Sequence, residues 1–199
     1  MKKVLLKIDG MTCSACSSGL EKYLNKQDGI KTAVVNLVMN NANIEYDEKK
    51  LTLEQVEKFV EKSLENGIDI IRVFDALNDL RNLKSAVDAT NKYKKQFGGH
   101  CQIALSYTTS PVHTIDYYVN LAKEVEKMGA DSICIKDMAG VLLPNAAYEL
   151  VTRIKESVKL PLELHTHCTG GVAEMTVMRA IEAGVDIVDS ALSPLSGGT

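Results

Sequence analysis

Cys13 and Cys16, in G-M-T-C-S-A-C, and His165 and His167, in H-T-H-C-T-G-G, are the residues whose types and spacing best suit chemistry. Two thiols three positions apart at the start of a helix can face one ion. The positive helix end and the ion both lower the thiol pKa, which favours the thiolate that binds soft metals. With no nearby His and no second C-x-x-C, a four-coordinate structural zinc site is incomplete, whereas Cu(I) needs only two sulfurs. A lone C-x-x-C also fits a redox pair or an inert one. His165 and His167 stand two apart at a strand end, so both side chains take the same face and can share one metal through imidazole nitrogens. An isolated H-x-H also reads as two satisfied polar side chains. Lys136 ends the apolar stretch S-I-C-I-K. Such a lysine ordinarily snorkels to the surface, but at a barrel mouth its tip approaches the histidines, where it is a ligand only if deprotonated or converted to a carbamate.

The elements that must position these residues fall into two rhythms. In the first third, Val4, Leu6 and Ile8 alternate as in a half-buried strand, and residues 32–38 and 42–47 give two more short strands across the turn-forming N-N-A-N. A helix pattern with Leu20, Tyr23, Leu24 and Gln27 lies between the first two strands. A second helix opens at Thr52 with the capping box T-L-E-Q and places Leu53, Val56, Phe59, Val60 and Leu64 on one face. The order is βαββα, to which one more strand is normally added. From residue 67 the chain changes to long strand and helix units, with strands expected at 68–74, 101–107, 131–136, 161–167 and 186–191. Helices are expected at 81–97, 114–128, 145–157 and 173–183. L-E-N-G-I-D-I-I, E-K-M-G-A-D-S-I and I-E-A-G-V-D-I-V precede or open three of these strands. Each is a helix end, a Gly fit for a left-handed cap and an apolar strand, so a βα unit repeats and the strands should run parallel. Polar residues gather at the strand ends: Arg72 and Asp75, Ser106 and Tyr107, Lys136 and Asp137, His165 and His167, Asp189 and Ser190. That distribution favours a (β/α) barrel, whose sites form at the C-terminal ends of its strands, over a doubly wound sheet.

The 199 residues allow one mid-sized domain or two small ones, and 45% hydrophobic with 25% charged residues is ordinary globular composition. A formal net charge of −3 argues against a nucleic-acid partner. No apolar run approaches the length of a membrane span, so a cytoplasmic protein with reduced thiols is expected.

The stretch K-I-D-G-M-T-C-S-A-C-S-S-G-L-E-K-Y-L, in βαββα order, resembles the heavy-metal-associated domain of copper chaperones and of the N-terminal modules of copper-transporting P-type ATPases. The resemblance implies a ferredoxin-like domain over residues 1–62 with Cu(I) on Cys13 and Cys16, Met11 packed beneath the loop, and a copper ATPase or chaperone as partner. That family follows its second helix with a Gly-aromatic loop and a short last strand, where this chain has S-L-E-N-G-I-D.

Further along, G-I-D-I-I-R-V-F-D-A-L-N-D-L-R-N-L, A-L-S-Y-T-T-S-P-V-H-T, S-I-C-I-K-D-M-A-G-V-L-L-P, H-T-H-C-T-G-G and D-S-A-L-S-P-L-S-G-G-T resemble, in order, the carboxyltransferase barrel shared by pyruvate carboxylase and the alpha subunit of oxaloacetate decarboxylase. The implied fold over 63–199 is strands four to eight of a (β/α) TIM barrel, five parallel strands in all. The resemblance implies a divalent ion (Zn, Mn or Co) on His165, His167 and a carboxylated Lys136, with Thr199 shuttling a proton between biotin and the enolate of pyruvate or oxaloacetate. Biotin would arrive on a separate carrier protein. The family's first three strands carry an Asp ligand, a Gln and the Arg that grips the keto acid, and these have no counterpart here. The expectation is therefore a composite of a copper module and a carboxyltransferase piece incomplete alone, with open sheet edges that favour self-association. An enzyme completed by a partner chain, and a copper chaperone only, are the alternatives.

Overall fold

The computed structural model describes residues 2–7, 18, 21–22, 24–26, 29–36, 41–46 and 53–189. Cys13, Cys16, Thr199 and the capping Thr52 lie outside them. The chain divides into two compact units, residues 1–71 with 88–99 and residues 72–87 with 100–199.

In the first unit, strands β1 (Lys2–Lys7), β2 (Ile30–Asn36) and β3 (Asn41–Tyr46) form an antiparallel sheet of order β1-β3-β2. The strand expected at 42–47 begins one residue earlier, and Asn41 to Asn43 pair with β1 and β2. Asn40 of the N-N-A-N stretch lies outside the described residues. Of the helix expected before β2, Ser18, Glu21, Lys22 and Leu24 are helical. Asn25 ties its end to the sheet, its side chain donating to the Ala33 carbonyl at 2.7 Å and accepting from the Ala33 N–H at 2.8 Å, as a neighbouring strand would. Helix α1 (Leu53–Glu65) buries Val60 and Leu64 in a cluster with Ala89, bordered by Phe59, Ile71, Tyr93 and Phe97. The 3–4 spacing of Val60 and Leu64 puts both on one stripe, as the sequence pattern requires.

The second unit is built on α/β repeats. Strands β4 (Ile70–Asp75), β5 (His100–Ser106), β6 (Ser132–Asp137), β7 (Leu162–Thr166) and β8 (Ile187–Val188) make a sheet in that order, and β5 through β8 pair in parallel. Helices α2 (Lys84–Phe97), α3 (Ile115–Lys127), α4 (Pro144–Ser157) and α5 (Ala173–Glu182) alternate with them. Pro144 opens α4 where its missing N–H costs nothing, and Thr114 caps α3 by accepting from the Tyr117 N–H. One sheet face is apolar: Cys101, Ile103 and Leu105, Ile133 and Ile135, and Leu162 and Leu164 join Tyr118, Val119, Ala122 and Val125 of α3 in one core. Strand alternation sends Gln102, Cys134, Lys136, Glu163 and His165 to the other face. No helix among the described residues is long and apolar enough to cross a membrane.

The repeat seen in the sequence has a physical basis that its glycines only begin to state. Gly67, Gly129 and Gly184 close three helices at φ of 88°, 86° and 89°. The Asp two positions on, in the second and third repeats, then latches onto the preceding strand. Asp131 accepts from the Cys101 N–H at 2.8 Å and donates its own N–H to the Cys101 carbonyl at 2.7 Å. Asp186 does the same with Leu162, at 2.7 and 2.9 Å. The latch fixes the register of each new parallel strand at its first residue.

Burial raises the Asp186 carboxyl, but hydrogen bonds from Lys155 and the Leu162 N–H outweigh it and hold the group below the usual carboxylate range. A lowered native pKa contributes stability above the unfolded value, about 3.9, and that contribution is lost as pH falls through the native one. Asp186→Ala should therefore cost about 1–2 kcal/mol at neutral pH. Urea unfolding at pH 7 and pH 3 checks it: the gap to the unsubstituted chain should narrow at the lower pH, and a gap independent of pH would refute the latch's ionic share.

Candidate active site

Of the polar residues read from the sequence as strand-end chemistry, Lys136, Asp137, His165 and His167 come together where β6 and β7 end. Lys136 and His165 are register partners across the two strands, so their side chains share the polar face. Lys136 is 5% exposed, with Nζ 5.1 Å from the centre of the Phe74 ring, and does not snorkel outward. A cation over an aromatic face in a desolvated place is held by the ring's quadrupole.

Asp137, the next residue, is fully buried and organises both adjoining loops. Its carboxylate accepts from the Val141 N–H at 3.0 Å, the Leu142 N–H at 2.8 Å and the Thr166 hydroxyl at 2.9 Å. Its backbone carbonyl accepts from the His167 N–H at 3.0 Å. The loop after β6 thereby lies directly against the H-T-H loop. Gly140 marks the contact: its φ is +65°, and a Cβ built there would stand 2.4 Å from the His167 carbonyl oxygen. The glycine in K-D-M-A-G is needed for the approach of two backbones as well as for its conformation.

His165 and His167 face each other through their Nε2 atoms, 3.3 Å apart. On the far side of its ring, His165 Nδ1 lies 2.6 Å from Asp189 Oδ2. Burial raises the Asp189 carboxyl, but the hydrogen bond from His165, its pairing with Glu163 and the Arg72 charge outweigh it and hold Asp189 well below the usual range. Asp189 is thus an anion and an acceptor, so Nδ1 of His165 is the donor to it and Nε2 is the ring nitrogen left to ligate. Two imidazole nitrogens bound to one tetrahedral zinc at about 2.0–2.1 Å stand about 3.3–3.4 Å apart, and a carboxylate behind one ligand is the usual support of such a histidine. The pair fits a divalent cation on spacing and on the carboxylate behind His165. Among the described residues no set of three His, Cys, Asp or Glu side chains converges as a metal group.

At the level of sequence Asp189 stands at a strand end without a role, and nothing there draws attention to Gln102 or Glu163. Both are buried polar residues in otherwise apolar strands, 1% and 3% exposed, and a buried polar group demands a partner. Gln102 Nε2 donates to Glu163 Oε2 at 2.8 Å, and Arg72 bonds to Gln102, Glu163 and Asp189. Burial, opposed by the Gln102 hydrogen bond and reinforced by Asp189, pushes Glu163 above the usual range. Asp75, by contrast, serves a turn, its carboxylate accepting from the N–H groups of Leu77 and Asp79 and from the Asn82 side chain. Burial pushes the Cys134 thiol up to about 12, which makes it an unreactive core residue, and Cys168 turns to Glu174 at 3.5 Å.

Comparison with known proteins matches residues 34–198 to a family model described as HMGL-like, a span that begins inside the stretch resembling a copper module. A pyruvate carboxylase subunit of Methanocaldococcus jannaschii is 59% identical over 144 residues, which are 72% of this chain and 25% of that protein. The methylmalonyl-CoA carboxyltransferase 5S subunit of Propionibacterium freudenreichii subsp. shermanii is 50% identical over 147 residues, 73% of this chain and 28% of that protein. Among solved structures, the carboxyl transferase domain from Rhizobium etli pyruvate carboxylase with pyruvate and biocytin superposes with a TM-score of 0.70 at 41% identity, covering 75% of this chain and 26% of that one.

Proposed function

Because the chain belongs to the HMGL-like family, we propose that residues 63–199 are a part, strands four to eight, of a biotin-dependent carboxyltransferase barrel of the pyruvate carboxylase type. The observation that carries this reading is the facing pair of Nε2 atoms at 3.3 Å, backed by Asp189, beside a buried lysine. His165 and His167 hold a divalent ion, Zn, Mn or Co, and Lys136 joins them as a carbamate, whose oxygen can ligate where an ammonium cannot. When bound, such an ion supplies the Lewis-acid charge that proton removal or decarboxylation beside a carbonyl needs. The residues do the rest. Asp189 keeps His165 in the tautomer that offers Nε2, Asp137 and Gly140 hold the two loops together, and Thr199 moves a proton between biotin and pyruvate or oxaloacetate. Biotin comes on a separate carrier protein, in keeping with the biocytin of the Rhizobium etli structure. An enzyme completed by a partner chain would take from it the Asp, Gln and Arg that the resemblance assigns to the family's first three strands. β4 and β8, at the ends of the sheet order, offer edges for that association or for self-association. A cytoplasmic location accompanies this reading.

A second reading concerns residues 1–62. The antiparallel order β1-β3-β2 supports a ferredoxin-like module, and the G-M-T-C-x-x-C motif supports Cu(I) on Cys13 and Cys16, with a copper ATPase or chaperone as partner.

One set of measurements on the purified chain tests both. Metal analysis followed by Co(II) and Zn(II) titration should show one divalent site that loses at least about a hundredfold in affinity in His165→Ala and His167→Ala. Pyruvate–oxaloacetate carboxyl exchange should require biotin carrier and the completing chain. Tight one-to-one Cu(I) binding against a competing chelator should vanish in Cys13→Ser. Divalent binding indifferent to both histidines would sink the first reading, and Cu(I) binding indifferent to Cys13 the second.

A further inference from the structure

We propose that Arg72 is a positioning residue for the cation site: it holds Asp189 where Asp189 fixes the ring of His165. This rests on the metal reading above. The Arg72 side chain is 7% exposed and lies on the polar face of the sheet. Its nitrogens go to three elements: Nε donates to Gln102 in β5, Nη2 to Glu163 in β7, and Nη1 to Asp189 Oδ2 at 3.2 Å, one residue past β8. Only a planar guanidinium offers donors in such a fork, and a lysine ammonium would reach one or two of these acceptors at a time.

Two of the three acceptors are themselves locked. Gln102 Nε2 donates to Glu163 Oε2 at 2.8 Å and to Ser132 Oγ at 3.1 Å, so the side of the fork that faces β5 and β7 has little freedom. Asp189 is different. Its side chain is 37% exposed and it follows a strand of only two residues, so neither burial nor a long ladder fixes its rotamer. Among the described residues its Oδ2 accepts from Arg72 Nη1 and His165 Nδ1, and the carboxyl also pairs with Glu163. The rigid side of the fork thus sets the place of Nη1, Nη1 sets the carboxylate, and the carboxylate sets the imidazole. Without Arg72 the rigid side of the fork would no longer reach Asp189, which would keep only its pairing with Glu163 on that side. The more exposed Asp189 would turn toward water and release His165, whose Nε2 could then carry the hydrogen instead of the lone pair.

The test uses the full chain. Arg72→Met should weaken Co(II) binding at least about tenfold, the range seen when support behind a metal-bound histidine is removed. Asp189→Asn should weaken it similarly, and the double variant should lose no more than the larger single loss, because both act along one line. Where Arg72→Met folds poorly, Arg72→Met with Glu163→Gln also removes the Glu163 carboxyl and carries the same expectation. In metal-free protein, 15N spectra of the imidazoles should show His165 protonated at Nδ1, and a mixture of tautomers in the Arg72 variants. Cation affinity within twofold of the unsubstituted chain, an unchanged His165 tautomer, or additive losses in the double variant would each overturn the role of Arg72. Failure of the unsubstituted chain to bind any divalent ion overturns the metal reading instead, and the imidazole spectra still decide what Arg72 does to His165.

Discussion

Alanine at position 140 is expected to destabilise the chain by about 2–4 kcal/mol and to weaken divalent-cation binding at least about tenfold. Two effects add. The backbone at Gly140 is left-handed, φ +65°, which costs an L-residue about 1–2 kcal/mol wherever it occurs. The new methyl group would also meet the His167 carbonyl oxygen at 2.4 Å and the Thr169 nitrogen at 3.1 Å, both backbone atoms that cannot rotate aside. The H-T-H loop has to move, and His167 moves with it. Gly171 provides the control. Its φ is +69° and nothing lies within 4 Å of an added Cβ, so Gly171→Ala carries the conformational cost alone. Urea unfolding and Co(II) titration of the two variants separate the effects. Equal losses of stability, with cation affinity unchanged in both, would show that the approach of the two loops has no bearing on the site.

Asp137→Ala should be more damaging still to stability, by about 3–5 kcal/mol. The substitution strands the N–H groups of Val141 and Leu142 and the hydroxyl of Thr166 around a fully buried position, and each orphaned group costs about 1–3 kcal/mol. Partial relaxation of the loop keeps the total below the simple sum. Asp137→Asn retains one acceptor oxygen and should fall between the two. An unfolding midpoint shift with an unchanged m-value is the expected signature, since the loss is of bonds and not of compactness. Asp137→Ala at the cost of an ordinary surface substitution would mean that the loop after β6 stands without its clasp.

Much of this could be read ahead of the structure, and the reasons are local. Helix stripes, the Pro144 start and the repeated helix–Gly–strand phrase depend on neighbours within a few residues, and each element appears within one to three residues of its expected bounds where the residues are described. H-T-H was legible because strand alternation fixes which side chains share a face. What stayed hidden depends on residues far apart in the chain. Arg72, Gln102, Glu163 and Asp189 come from four separate strand regions, and no spacing rule links them. A faint signal existed all the same: Gln102 and Glu163 are polar residues in otherwise apolar strand centres, out of phase with the core positions.

The bond between Arg72 and Asp189 joins residues 117 apart in sequence. Such a contact gains nothing until the intervening strands have taken their places, because the chain between its ends must first be ordered. Its expected place is therefore late in folding. A contact absent from the transition state slows escape from the native state without hastening arrival there, so Arg72→Met should raise the unfolding rate and leave the folding rate nearly unchanged. On that expectation the side chain governs how long the polar face stays closed more than how fast it forms.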